Sequence, residues 1–166
     1  MVITGDSLLK FVVGQRMSNE DPNNFYVVKP FPGAVVGDMK DFIKPLARKQ
    51  PDKMIIHVGT NDLKSLAPQQ IAGSIVELVN QVKQVSPSTV VGVSSLIMRK
   101  DSQALSAKGR QVNSILKESC NRHKVHFLDN SNINVSHLNS LGLHLNRRGS
   151  MTLQENLANF ANKISH

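Results

Sequence analysis

Short runs of β-branched and other apolar residues alternate with longer segments of helical periodicity along this chain of 166 residues. Residues 54–58 and 89–93 are almost continuously apolar, as strands are when both faces of a parallel sheet are covered. Alternation of such runs with helices is typical of an α/β protein. We predict five strands, over residues 2–4, 25–28, 53–58, 89–94 and 125–128.

The segments between these runs carry apolar residues at helical spacing. The clearest stripe contains Ile71, Ile75 and Leu78, and Pro87 follows its end. Similar patterns predict helices over residues 38–48, with Pro45 weakening the middle, over residues 102–123, and from 147–150 through 164. Right-handed crossovers would build a three-layer α/β/α sandwich around a five-stranded parallel sheet. Ligands would then bind at the carboxyl ends of the strands, near the reversal of strand order.

The net charge of the chain favours one class of binding partner. Twenty Lys and Arg against twelve Asp and Glu give a net charge of +8, which favours an anionic partner such as nucleic acid or a membrane surface. The basic residues are dispersed in pairs such as Arg147-Arg148, so a basic surface without a dedicated site is an equally good interpretation. Aromatic side chains for stacking bases are few, since the chain has six Phe, one Tyr and no Trp.

Cysteine content and hydropathy bear on compartment and domain organisation. Cys120 is the only cysteine, which excludes an internal disulfide and a cysteine-based zinc site. The sequence contains no apolar run of the roughly 18 residues that a membrane span needs and no signal peptide, so we predict an intracellular, cytoplasmic protein. We expect residues 1–166 to form a single domain excised from a longer chain, because the first predicted strand begins at the first residues. The oligomeric state is left open.

Polar or glycine residues suited to acyl transfer follow three of the predicted strands. Ser7 stands at a strand-to-helix turn, where its hydroxyl and its own N–H are exposed. Asp6 and Ser7 are also ordinary helix caps, and capping is the commoner role for this motif taken by itself. Gly33, after the second strand, either turns its N–H toward a developing oxyanion or simply forms a turn. Asn61, after the third strand, offers a side-chain amide as a further donor.

The best candidate for a general base is His144. It precedes the last predicted helix on a loop, and histidine ordinarily titrates near neutral pH, which suits proton transfer. His57 lies inside a strand and is interpreted as a core histidine, whereas Asp62 is expected to hold its own loop by accepting local N–H bonds. The other histidines lie in contexts that indicate surface or local structure: His123, His126, His137 and His166.

In chain order, Ser7, Gly33, Asn61 and His144 match the four blocks of the SGNH, or GDSL-type, esterase/lipase family, which the whole chain resembles. The resemblance implies a flavodoxin-like sandwich with Ser7 as nucleophile and His144 as general acid/base. It also implies an oxyanion hole made by the N–H groups of Ser7 and Gly33 and the amide of Asn61, with Gly37 as a nearby alternative to Gly33. No metal or cofactor is implied.

One position departs from the family pattern. The family places an aspartate three residues before the histidine, and this chain has Leu141 there. Leucine can neither orient an imidazole nor stabilise its cation, and losing the carboxylate can cost about 10⁴ in rate. Three interpretations stay open: a backbone carbonyl or the Ser140 hydroxyl orients His144, Asp129 substitutes for the missing acid, or catalysis is weak or lost.

Shorter strings at residues 31–34, 57–63 and 142–149 resemble esterase-like domains associated with retrotransposon-encoded proteins of animals. Such a domain would be basic and cut from a longer chain. The sequence therefore predicts a serine-type carboxylester hydrolase acting on acetyl or other short acyl esters. The alternative is a weak or inactive binding module that keeps the fold and holds nucleic acid or anionic lipid through its positive charge.

Overall fold

A computed structural model describes residues 1–165 of the chain, and its strands form one parallel sheet. The strand order is β2-β1-β3-β4-β5, so the order reverses between β1 and β3. This is the flavodoxin-like order, and the predicted five-stranded parallel sheet is confirmed. The bounds are Val2–Gly5 (β1), Val27–Pro30 (β2), Lys53–His57 (β3), Val90–Ser94 (β4) and His126–Leu128 (β5).

In the part of the chain that the structure describes, five α-helices cover the two faces of the sheet. Met39 of the second helix, Ile71 of the third and Val112 of the fourth belong to the apolar cluster on one face. Met17 of the first helix and Leu153 of the last belong to the cluster on the other face. The three-layer sandwich is therefore confirmed. The bounds are Gly14–Glu20 (α1), Val36–Ala47 (α2), Pro68–Val85 (α3), Gln103–Arg122 (α4) and Arg147–Lys163 (α5).

The centre of the sheet explains why its strands are so apolar. Ile55 contributes to the cluster under α1 and α5, while Met54 and Ile56 contribute to the opposite cluster, and all three are fully buried. Alternate side chains of a strand point to opposite faces, so a strand covered on both sides needs apolar residues at consecutive positions. Burying each such side chain contributes roughly 1.5–3 kcal/mol.

The structure corrects the sequence prediction in three places. A helix-like run was expected after Ser7, but only a 3₁₀ turn spans Ser7–Leu9, and α1 begins later. Met17 is the one fully buried residue of the short α1, so no apolar stripe marks that helix in the sequence. The second strand begins two residues later than predicted, and α2 begins two residues earlier, at Val36, with Pro45 inside it as predicted. Among the described residues, no helix is both long and apolar enough to cross a membrane.

Candidate active site

The loops that follow β1, β2 and β3, together with the loop before α5, open onto one cleft of about 550 Å³. Its lining includes Ser7, Gly33, Asn61 and His144, so the structure brings together the four residues that the sequence singled out. They meet because the carboxyl ends of parallel strands share one edge of the sheet, at the point where strand order reverses. Sequence reasoning did not find the other lining residues, among them Lys10 and Asn139, which carry no distinguishing pattern.

The turn that presents Ser7 is held from both sides. The N–H of Asp6 donates to the carbonyl of His57 at 3.1 Å, which extends the β1–β3 pairing by one residue. The Oδ1 atom of Asp6 accepts the N–H of Leu8 at 3.0 Å and so caps the 3₁₀ turn. Ser7 lies between these anchors as the first residue of that turn, half-buried at the cleft. At the start of a helical turn the backbone N–H has no partner within the turn.

The loop after β2 is positioned by residues that follow β3. The Nδ2 atom of Asn61 donates to the carbonyl of Ala34 at 2.9 Å, next to Gly33. Gly33 has a φ of +80°, a conformation that favours glycine. One of the two Nδ2 hydrogens of Asn61 is used in this contact, which leaves the other for a ligand in the cleft. Gly37, the alternative to Gly33, lies inside α2 and does not line the cleft.

Asp62 anchors a neighbouring element rather than its own loop. Its carboxylate accepts the N–H of Val36, the first residue of α2, with Oδ2 at 3.0 Å and Oδ1 at 3.3 Å. Burial raises the pKa of Asp62, and the Val36 N–H partly offsets that effect. The expectation of local N–H bonds is therefore corrected: the carboxylate ties the Asn61 segment to the Gly33 segment and fixes their relative position.

His144 is carried by an exposed turn that is itself well braced. The N–H of Asn139 donates to the carbonyl of His144 at 2.7 Å, closing the turn. Asn146 caps α5 by accepting the N–H of Gly149 at 2.9 Å, and its amide donates to the carbonyl of Leu138 at 3.0 Å. Within residues 1–165, the imidazole of His144 forms no hydrogen bond, either to Ser7 or to a carboxylate.

The structure does not bring the proposed orienting residues to the His144 ring. Ser140 is exposed and forms no hydrogen bond with that ring within the described part of the chain. Asp129 accepts the N–H of Ser131 at 2.9 Å and lines a separate cavity with Asn130. Leu141 is 74% exposed at the tip of the turn.

Asp6, the residue before Ser7, carries a buried carboxylate. Only 1% of Asp6 is exposed, and its Oδ2 atom has no hydrogen-bond partner among the described residues. Burial raises the pKa of Asp6 to about 6, while the Leu8 N–H and the charge of His144 act in the opposite direction. Sequence reasoning treated Asp6 as an ordinary cap, because nothing local to the sequence reports that its second oxygen is buried.

The Asp6→Asn variant tests this burial through the pH dependence of folding. Because the folded-state pKa is raised, the stabilisation is fully present below about pH 4 and is lost as pH rises through about 6. A pKa raised by about two corresponds to about 3 kcal/mol of unfolding free energy. We expect the wild-type protein to lose about that much more unfolding free energy than Asp6→Asn between pH 4 and pH 8 in urea titrations. Equal losses in the two proteins would contradict the assignment.

His57 is a core histidine, as predicted. It is fully buried, and its Nδ1 atom lies 2.9 Å from the hydroxyl of Ser94. The same hydroxyl accepts the side-chain amide of Asn130 at 2.8 Å. Burial lowers the pKa of His57 to about 4, so the ring is neutral around pH 7. It lies outside the lining of the Ser7 cleft and supports the sheet beneath it.

Comparison with solved structures agrees with the fold. A carbohydrate acetylesterase from Sinorhizobium meliloti superposes with a TM-score of 0.84, at 18% identity over 97% of each chain. An aryl esterase from M. smegmatis gives a TM-score of 0.81, at 17% identity over 99% of each chain. A lipolytic protein of the G-D-S-L family from Veillonella parvula gives 0.81, at 16% identity over 98% of each chain. No curated protein sequence matches the chain.

The family comparison covers the cleft and nearly all of the sheet. The model of the GDSL-like lipase/acylhydrolase family matches residues 4–151, which include every loop that lines the cleft. That match spans well over half of the chain, and the resemblance read from the four blocks of the sequence is confirmed. This chain belongs to the GDSL-like lipase/acylhydrolase family.

Proposed function

We propose that the chain is a serine-type carboxylester hydrolase that acts on acetyl or other short acyl esters. The observation that carries the proposal is the convergence of Ser7, Gly33, Asn61 and His144 on one cleft from four separate segments. Chance convergence of a hydroxyl, an imidazole and two amide donors is improbable in a family of acylhydrolases. The structural neighbours include a carbohydrate acetylesterase, which is consistent with an acetyl group.

In this proposal Ser7 Oγ attacks the ester carbonyl carbon while the His144 imidazole takes the hydroxyl proton. The N–H groups of Ser7 and Gly33 and the free Nδ2 hydrogen of Asn61 stabilise the tetrahedral oxyanion. The protonated His144 then donates to the leaving oxygen, so the alcohol departs and an acyl-Ser7 ester remains. Water attacks that ester, with His144 taking its proton and returning it to Ser7.

The exposed turn that carries His144 gives the imidazole room to approach Ser7 when substrate fills the cleft. Catalytic hydrogen bonds are commonly long in free enzymes and shorten in the substrate complex.

A fluorophosphonate probe combined with p-nitrophenyl acetate hydrolysis tests the mechanism. Mass spectrometry should find one probe per chain, attached to Ser7, and the modified protein should no longer hydrolyse the ester. Ser7→Ala should take up no probe and hydrolyse at the rate of the reaction without protein. Equal hydrolysis by the wild-type and Ser7→Ala proteins, both folded, would eliminate the mechanism.

A second candidate function rests on the net charge of +8. In that case the fold would serve as a binding module for nucleic acid or anionic lipid, with little or no turnover. Binding driven by phosphate contacts weakens steeply as salt rises. Tight binding of single-stranded oligonucleotide or of anionic vesicles at about 50 mM salt, lost at about 200 mM salt, in a protein that takes up no fluorophosphonate would favour this candidate.

A further inference from the structure

A second cavity adjoins the catalytic cleft. It measures about 330 Å³ and lies between the segment that leads into α1 and the first turns of α5, so we name it the α1–α5 cavity. Phe11 and Leu145 line both this cavity and the catalytic cleft, and they form the boundary between the two. A hydrogen bond of 3.2 Å from the N–H of Val13 to Oε1 of Gln154 joins the two elements at the cavity. The α1–α5 cavity thus shares two lining residues with the catalytic cleft, and a hydrogen bond holds together the elements that form it.

Apolar side chains are left open to solvent around this cavity. Phe11 is 61% exposed, Val13 is 51% exposed and Met151 is 40% exposed, and all three line it. Exposed apolar side chains that converge on one concavity, rather than lying scattered, are typical of a ligand site. An apolar group bound there would remove these side chains from water, which favours binding.

The polar part of the lining is positively charged. Arg16 and Arg147 line the α1–α5 cavity, and no carboxylate is among its lining residues. Arg147 forms no salt bridge within residues 1–165, while Arg16 uses its Nε atom on Glu20 at 2.8 Å in an exposed pair. Ser150, in the first turn of α5, also lines the cavity, and its buried hydroxyl has no hydrogen-bond partner among the described residues. These groups suit a negatively charged ligand.

The position of the α1–α5 cavity relative to the reacting groups indicates which part of an ester it would hold. It is lined by Leu145 and the residues that follow His144, and not by Gly33 or Asn61. The general acid must face the leaving oxygen, whereas the oxyanion donors face the carbonyl oxygen. The alcohol portion therefore lies on the His144 side of the cleft, next to this cavity.

We propose that the α1–α5 cavity binds the alcohol portion of the substrate, and that this portion is an apolar group carrying a negative charge. The inference rests on the proposed esterase function and adds its substrate class. Phe11, Val13 and Met151 would contact the apolar part, and Arg147, with Arg16, would face the anionic end. Hydrolysis would release an anionic alcohol into the cavity.

Two acetate esters that differ in charge test this proposal: 4-acetoxybenzoate and its neutral isostere 4-acetoxybenzamide. The quantity measured is the ratio of kcat/KM for the benzoate to kcat/KM for the benzamide. Because both values come from the same protein, the ratio does not depend on how a substitution changes the rate of the chemical step or the amount of active protein. Arg147→Gln should lower the ratio about fivefold, the size of one partly exposed charge contact. Met151→Glu puts a carboxylate in the lining of the cavity. We expect its ratio to be at least fivefold lower than that of Met151→Gln, which has a neutral side chain of similar size.

Arg122→Gln is the matched control, because Arg122 is an exposed residue at the end of α4 that lines neither cavity. It should leave the ratio unchanged. A fall as large as that of Arg147→Gln would show that net charge alone sets the preference, and would overturn the proposal. An unchanged ratio in both Arg147→Gln and Met151→Glu would overturn it as well.

Binding of the products separates this proposal from the esterase assignment. Calorimetric titration of Ser7→Ala with 4-hydroxybenzoate and with 4-hydroxybenzamide needs no turnover. We expect the benzoate to bind about fivefold more tightly, and the added Arg147→Gln substitution to remove that preference. Hydrolysis of neither ester by a folded wild-type protein would count against the esterase function. Equal binding of 4-hydroxybenzoate and 4-hydroxybenzamide by Ser7→Ala would contradict the assignment of the α1–α5 cavity.

Discussion

Replacing Leu141 by aspartate is expected to raise kcat/KM for p-nitrophenyl acetate by about 10²-fold. The substitution places a carboxylate three residues before His144, the position that the family pattern reserves for it. Where a serine hydrolase is built around such a carboxylate, its loss costs about 10⁴ in rate, because it orients the imidazole and stabilises the imidazolium. A newly installed group in an exposed turn should recover part of that effect. Leu141 is 74% exposed, so little packing is lost.

Leu141→Asn is the matched control for this gain. It has nearly the same shape and can accept the imidazole N–H, but it brings no negative charge. We expect it to increase the rate much less than Leu141→Asp, and Ser7→Ala in the Leu141→Asp background should abolish the gain. Steady-state kinetics on the four proteins make the comparison. Equal rates for the aspartate and leucine proteins would mean that His144 already has an effective partner, or that it does not act on Ser7.

Replacing Gly5 by alanine is expected to prevent folding. A Cβ atom built on Gly5 would lie 1.8 Å from the carbonyl oxygen of His57, which is backbone and cannot swing aside. The neighbouring strands β1 and β3 pair directly at these residues, so relief would require moving the centre of the sheet. A cost above about 4 kcal/mol is a large part of the 5–15 kcal/mol that typically holds a domain together. Far-UV circular dichroism and thermal unfolding of the soluble fraction would measure it.

Gly37→Ala provides the comparison that isolates the steric effect. Gly37 lies inside α2, is exposed, and has nothing within 4 Å of an added Cβ atom. Alanine there should raise the unfolding free energy by about 0.4–1 kcal/mol, because it restricts the unfolded chain and favours the helix. If Gly5→Ala were as stable as Gly37→Ala, the close approach between β1 and β3 would be wrong, and with it the placement of Ser7.

Much of the fold could be predicted from local pattern. The five strands were predicted within two residues of their observed bounds, because strands covered on both faces must be apolar at consecutive positions. The site residues Ser7, Gly33 and Asn61 follow strand ends, and a parallel sheet brings those ends together. The helix α1 was missed, because Met17 is its one fully buried residue and leaves no stripe.

The amino-acid sequence by itself determined the sandwich and the set of residues at the carboxyl edge of its sheet, because the local order of apolar and polar residues determines which faces are buried. Only the tertiary structure decided the partners of those residues. Asp62 meets Val36, 26 positions away, and Val13 meets Gln154 across 141 positions. The burial of Asp6 and the charged α1–α5 cavity depend on such distant contacts, because electrostatics and hydrogen bonding follow distance in space, whereas periodicity reports only neighbours along the chain.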